Sequence, residues 1–169
     1  MEIVLRPSRP GDLNAILSVI NDAAECYRDV IPKECWSDPY MNFGTLREEI
    51  AAGVLFTVAE AHREILGVMG TQNKGQVILI RHAYVATAHQ QMGIGTLLLN
   101  RLLRKSPQEF LIGTWSRATW AISFYQKFLF EPVSAKRCEI LLRRYWTVPK
   151  GQAENSVVLA RPTFSEASS

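Results

Sequence analysis

A chain of 169 residues, 47% of them hydrophobic, is long enough to bury one sizeable core and too short for two comfortable ones. Its 19 basic and 16 acidic residues leave a formal net charge of +3, and no dense Lys/Arg run marks a nucleic-acid surface. Cys26, Cys35 and Cys138 form neither C-x-x-C nor a metal-ligand cluster with His62, His82 and His89, and no apolar run approaches the roughly 20 residues that cross a bilayer, so free thiols, no metal, no membrane and a cytoplasmic location are expected.

In chain order, Ile3 to Arg6 reads as a first or edge strand. A helix follows with Leu13, Ile16, Leu17, Ile20 and Ala24 on one stripe, and Ser8 or Asp12 could cap it. Residues 26–44 make a long connection in which Tyr27, Trp36, Tyr40 and Phe43 are interleaved with Arg28, Asp29, Glu34 and Asp38. Aromatics beside carboxylates can receive an organic cation, and they equally well pin a loop whose charges are ordinary surface charges. A short helix over Thr45 to Ala52 is expected to stop near Gly53. Val54 to Ala61 and Ile65 to Gln72 form a strand pair joined by His62-Arg63-Glu64, and Gly75 marks the turn into the next strand.

That strand opens with Val77, Ile78, Leu79 and Ile80, apolar on both faces as in a central strand covered by helices on each side. Gln90-Gln91-Met92-Gly93-Ile94-Gly95 then forms a glycine-bearing turn into an amphipathic helix striped by Ile94, Leu97, Leu98 and Leu102 and ended by Pro107. Glycines let backbone approach a ligand closely, and the unpaired N–H groups of a helix start favour an anion, so a phosphate-bearing cofactor is expected at the carboxyl end of this strand. The dinucleotide pattern G-x-G-x-x-G fails because Leu98 stands at its third glycine, and no G-x-x-x-x-G-K-[ST] occurs. What remains is Q-x-x-G-x-G.

Downstream, Phe110 to Trp115 reads as a strand, Arg117 to Phe128 as a helix and Phe130 to Ser134 as a strand. Residues 136–146 place Cys138, Leu141, Leu142 and Tyr145 on one helical face. Asn155 to Ala160 is expected to close the sheet's edge, and as an edge strand it could pair with a partner subunit to make a homodimer. Residues 1–160 are thus expected to form one domain and 161–169 a disordered tail.

The turn Gln90 to Gly95, together with Trp120-Ala121-Ile122-Ser123-Phe124-Tyr125-Gln126-Lys127-Phe128-Leu129-Phe130, resembles the GCN5-related N-acetyltransferase (GNAT) superfamily. That family carries [QR]-x-x-G-x-[GA] between its fourth strand and third helix, and an A-x-x-x-Y-x-x-x-G-F segment beyond. The likeness covers residues 1–135 in element order and residues 77–130 closely. Leu129 replaces the family's usual glycine, and Ala118 stands where an asparagine is common. The resemblance implies an α/β (α+β) fold: a mixed central sheet of about six to seven strands flanked by helices, here with an extra C-terminal helix and strand.

It also implies acetyl-coenzyme A as the acyl donor, held by the backbone of Ala83, Tyr84 and Val85 along the pantetheine and by Gln90, Gln91, Met92, Gly93, Ile94, Gly95 and Thr96 at the pyrophosphate. Tyr125 falls where the family places the acid that protonates the departing thiolate, although by helical spacing it also joins Ala121, Phe124 and Phe128 on a packing stripe. The acceptor amine must shed its proton at a cost of roughly 4 kcal/mol at neutral pH. His82, Glu25, Asp29 and Glu34 are the candidate bases, yet strand alternation sets His82 opposite Arg81 and Ala83, as a core histidine. Tyr27, Asp29, Trp36, Tyr40 and Arg81 are the candidate acceptor contacts for a small-molecule or peptide amine. A non-catalytic acyl-coenzyme A sensor or interaction module is the second reading, and a dinucleotide-binding oxidoreductase the third.

Overall fold

The alternation of apolar and polar residues is realised in a computed structural model describing residues 1–163, in which seven strands form one sheet in the order β1-β2-β3-β4-β5-β7-β6. The strands are β1 (Val4–Pro7), β2 (Leu55–Ala61), β3 (Glu64–Asn73), β4 (Val77–Val85), β5 (Glu109–Trp115), β6 (Glu131–Pro132) and β7 (Ser156–Arg161). The helices are α1 (Leu13–Ala24), α2 (Phe43–Ala51), α3 (Ile94–Leu103), α4 (Thr119–Gln126), α5 (Ala135–Tyr145) and α6 (Lys150–Glu154). The chain divides into two compact units: residues 1–26, 37–73 and 80–106 form the first, and 27–36, 74–79 and 107 onward the second.

In the first unit, β1, β2 and β3 are an antiparallel meander, with Leu5 opposite Ala59 and Val58 opposite Val68. His62 and Arg63 both take positive φ, 51° and 66°, the two-residue turn whose twist suits a hairpin. α1 buries Ile16, Val19, Ile20, Ala23 and Ala24. Its Ile16, Val19 and Ile20 lie in one cluster with Leu46 of α2, with Val54 just before β2, and with Phe56, Val58, Ile65 and Val68 of the β2–β3 hairpin. Asp12 precedes α1, but its carboxylate serves the Arg9 amide at 2.7 Å and the Arg6 guanidinium at 2.7 Å instead of the helix's own amides. The α2 helix starts earlier than expected, because Asn42 caps it by accepting from the Thr45 amide at 2.8 Å.

On β3 the neighbours Gly67 and Val68 face opposite ways: Val68 joins the α1 cluster, while Gly67 turns to α3. A methyl at Gly67 would stand 2.8 Å from the Ile94 side chain and 3.3 Å from that of Leu98, so this glycine lets α3 lie close on the sheet. The buried stripe of α3 is Ile94, Leu98, Leu99 and Leu102. Leu97, expected on that stripe, is instead exposed, because a 3.6-residue period carries the seam from Leu98 to Leu99 and Leu102 and leaves Leu97 outside.

In the second unit, β7 pairs antiparallel with β5, Ile112 opposite Leu159, and on its other side with β6, Glu131 opposite Ala160. This corrects the expected edge position of the C-terminal strand. β7 lies between β5 and β6, and β6, two residues long and containing Pro132, is the terminal strand there. α5 is capped by Ser134, which accepts from the Arg137 amide at 3.2 Å, and it buries Cys138, Leu141 and Leu142 in a cluster with Leu111 and Val158. The short helix α6 was not legible, since KGQAE carries no apolar period. Arg161 belongs to β7, so the expected tail is shorter by that residue, and residues 164–169 lie outside the described residues. No helix among the described residues is long and apolar enough to cross a membrane.

Candidate functional site

The glycine turn lies wholly in the first unit and is built from both ends. Upstream, a single 3-10 turn over Thr87–His89 is pinned by Asp22 of α1, which accepts from the Thr87 amide at 2.7 Å. The Gln90 side chain folds back, its Nε2 donating to the Val85 carbonyl at 3.1 Å. Gln91 and Gly93 then adopt left-handed φ values of 61° and 80°, reversing the chain twice within three residues. Open space surrounds the place where a Gly93 side chain would be, so glycine there serves the backbone angle and not a steric need. Downstream, Ile94 is buried and anchors the helix, while Gln91, Met92, Gly93 and Thr96 are exposed.

The first helical hydrogen bond of α3 runs from the Leu97 amide to the Gly93 carbonyl at 3.0 Å. The amides of Ile94, Gly95 and Thr96 precede that bond, and Gly93 in the N-cap position brings no side chain to cap them. Their dipoles therefore make this rim of the turn electropositive without any basic residue. Ala83, Tyr84 and Val85, at the end of β4, are half-buried. The Tyr84 hydroxyl donates to that of Tyr40 at 3.3 Å, and their rings meet edge to face at 6.3 Å.

A second cluster of the first unit gathers Arg81, His82 and Glu49. His82 sits at φ 52°, and this kink breaks the alternation that would have placed it opposite Arg81. Both side chains instead reach the Glu49 carboxylate of α2, Arg81 at 3.0 Å and His82 Nε2 at 3.1 Å. His82 is thus tied into a polar network with Glu49 and Arg81. Arg81 also donates to Gln72, which donates in turn to the Ala52 carbonyl at 2.9 Å. Glu49 escaped the sequence reading, although it stands three positions after buried Leu46, on the same helical face.

In the second unit Tyr125 is buried, with rings of Phe124 at 5.1 Å and Phe130 at 5.6 Å. Burial pushes its phenol well above the ordinary tyrosine value near 10, and the neighbouring Tyr27 phenol adds to the effect. Tyr27 in turn packs against the half-exposed Trp120 of α4 at 5.2 Å. The face of Trp36, an expected contact for a substrate cation, carries Arg28 of this same chain 4.5 Å from its centre. Asp29 and Glu34 are exposed in this unit, and Glu25 is exposed in the first. Of the expected acceptor contacts, Tyr27, Asp29 and Trp36 belong to the second unit, and Tyr40 and Arg81 to the first.

The two departures from the expected motif have visible forms. Leu129 adopts φ 66° and is exposed, so the chain makes the left-handed turn with a leucine in it. Ala118 is fully buried and occupies the N-cap position of α4 with no side chain to cap it.

A family model described as an acetyltransferase (GNAT) domain matches residues 18–143. No curated protein matches the chain. Among solved structures, PaiA N-acetyltransferase from Thermoplasma acidophilum, in complex with coenzyme A, is 17% identical at a TM-score of 0.72, covering 96% of this chain and 99% of that one. The ribosomal-protein-S18-alanine N-acetyltransferase of Escherichia coli is 15% identical at a TM-score of 0.71, covering 96% and 94%. YncA from Salmonella typhimurium, with its cofactor acetyl-coenzyme A, is 20% identical at 0.61, covering 79% and 82%. At such identities the likeness to structures carries the fold, while the family model spans most of the sequence, and the chain belongs to the GNAT acetyltransferase family.

Proposed function

We propose that this protein transfers the acetyl group of acetyl-coenzyme A to a primary amine of a small molecule or peptide, by direct attack of the amine on the thioester. The observation that carries the reading is the turn from Gln90 to Thr96, where left-handed Gln91 and Gly93 present the leading amides of α3 to an exposed rim. Hydrogen bonds to charged groups contribute about 1.5–3 kcal/mol each, so a few amides on the pyrophosphate suffice to anchor the cofactor. The backbone of Ala83, Tyr84 and Val85 is assigned to the pantetheine arm, as though the cofactor were an added strand. The coenzyme-bound structures named above support the choice of donor.

Holding donor and amine together converts a bimolecular reaction into an oriented unimolecular one, which supplies much of the rate. Tyr125 is assigned as the donor to the departing sulfur. Its raised phenol stays protonated throughout the physiological range, so it offers a hydrogen bond to the developing thiolate before any proton moves. His82 is assigned as the base, with Glu25 an exposed alternative. One observation favours the second reading, a non-catalytic acyl-coenzyme A-binding module: a phenol so firmly held gives its proton up to a thiolate, whose acid has a pKa of about 8.5, only at a cost.

Equilibrium titration with acetyl-coenzyme A, beside NADH and beside Gly93→Val, tests the proposal. Saturable binding of acetyl-coenzyme A alone, weakened at least about tenfold in the variant because valine resists a left-handed φ, is expected. No binding by the unsubstituted protein would overturn the proposal. Binding without thiol release, across varied amines, would favour the non-catalytic module.

A further inference from the structure

Residues adjacent on a strand point to opposite faces, yet Arg81 and His82 converge on one carboxylate, because His82 is held at φ 52°. Such a backbone persists in a non-glycine residue only where its surroundings hold it, and such sites cluster where function needs a side chain aimed against its ordinary direction. From this juxtaposition we propose that Glu49 positions His82 as the base of the reaction, keeping the imidazole proton on Nε2 and leaving the Nδ1 lone pair to take the amine's proton. The inference rests on the acetyl-transfer function proposed above.

The chemistry of the network fixes the direction of the His82 hydrogen bond. Arg81 contacts both oxygens of Glu49, at 3.2 Å and 3.0 Å, which favours the ionised carboxylate. An ionised carboxylate only accepts, so the 3.1 Å contact requires Nε2 to donate. Arg81 is itself held by Gln72, a buried side chain whose amide and carbonyl ends are both engaged. The charged groups meeting His82 are Glu49 from α2 and Arg81 of its own strand, and from β2 it meets the Phe56 ring at 6.1 Å. With 15% of its side chain exposed, the imidazole is shielded but not sealed.

In the balanced step, the ammonium gives one proton to Nδ1 of His82, and the freed lone pair forms the C–N bond to the acetyl carbonyl. The C–S bond breaks and its electron pair leaves on sulfur; the Tyr125 phenol assigned above gives its proton to the thiolate and is reprotonated by the second proton that nitrogen loses. Glu49 touches none of the reacting atoms and acts through His82.

The test uses the full chain with acetyl-coenzyme A and three acceptors: benzylamine, lysine and a short peptide with a free amino terminus. Nitrogen NMR of the labelled His82 ring, at mildly alkaline pH, is expected to place the proton on Nε2 and to show mixed tautomers in Glu49→Gln, which keeps the shape and a contact to Arg81. Turnover in Glu49→Gln is expected to fall about tenfold or more with acetyl-coenzyme A affinity unchanged, as when an orienting carboxylate is exchanged for its amide. In a His82→Gln background the same exchange should have no further effect. A proton on Nδ1 in the unsubstituted protein, or equal turnover in Glu49→Gln, would overturn the proposal. If no acceptor reacts while acetyl-coenzyme A binds, the transfer function fails and the ring NMR alone judges the Glu49 assignment: tautomers unmoved by Glu49→Gln overturn it, and tautomers that shift sustain it.

Discussion

At the scale of single residues, Tyr125 is the side chain whose environment most alters its chemistry. Its phenol is enclosed by Phe124 and Phe130, and ionisation there would leave a phenolate without solvent. If it donates to the leaving sulfur, Tyr125→Phe should lower turnover by about 10²-fold, the lower end of what a positioned acid contributes, with acetyl-coenzyme A affinity unchanged. Thiol release and equilibrium titration, compared on the same samples, check the two halves of that statement. Leu129 makes a separate case. Its left-handed backbone costs roughly 1–2 kcal/mol in a residue with a β-carbon, and its exposed side chain returns little packing. Leu129→Gly is therefore expected to raise stability by about 1 kcal/mol, read as a shift of the denaturation midpoint at constant slope.

At the scale of elements, the seat of α3 decides whether its amides face outward at the right place. Gly67 of β3 is the contact that permits it, since any methyl there meets Ile94 and Leu98. Gly67→Ala is expected to cost about 1–3 kcal/mol of stability by overpacking and to weaken acetyl-coenzyme A binding by shifting the helix start. Thermal unfolding measured with and without the ligand separates the two effects. The same contact explains the Leu98 that excluded a dinucleotide fingerprint: here the glycine allowing helix and strand to approach lies on the strand and not on the helix. Periodicity and glycine spacing carried the strands, α1, α3 and α5, and the turn at Gln90 to Gly95, because these depend on local sequence. The Arg81–His82–Glu49 cluster was hidden, since Glu49 lies more than thirty residues away and a single positive φ cancelled the alternation used to orient His82. The place of β7 was hidden for a related reason, because strand order is a long-range property that an apolar run does not encode.

At the scale of the whole molecule, we propose that residues 1–160 behave as one acetyltransferase domain despite resolving into two compact units. β4 runs from Val77 to Val85 with its first residues in one unit and the rest in the other, so its backbone cannot unravel in one unit alone without fraying the strand. A single calorimetric transition with matching calorimetric and van't Hoff enthalpies is expected, and two resolved transitions would refute it. The position of β7 has a consequence for how the chain is made. Within the second unit, β5 and β6 are not neighbours until Ser156–Arg161 arrives between them, so during synthesis the intervening helices α4 and α5 emerge before the strand that unites their flanking strands exists. Until that late segment leaves the ribosome, one side of β5 presents unpaired N–H and C=O groups beside buried Phe110, Leu111 and Ile112. Chains truncated before Ser156 should therefore draw chaperones far more than the full chain.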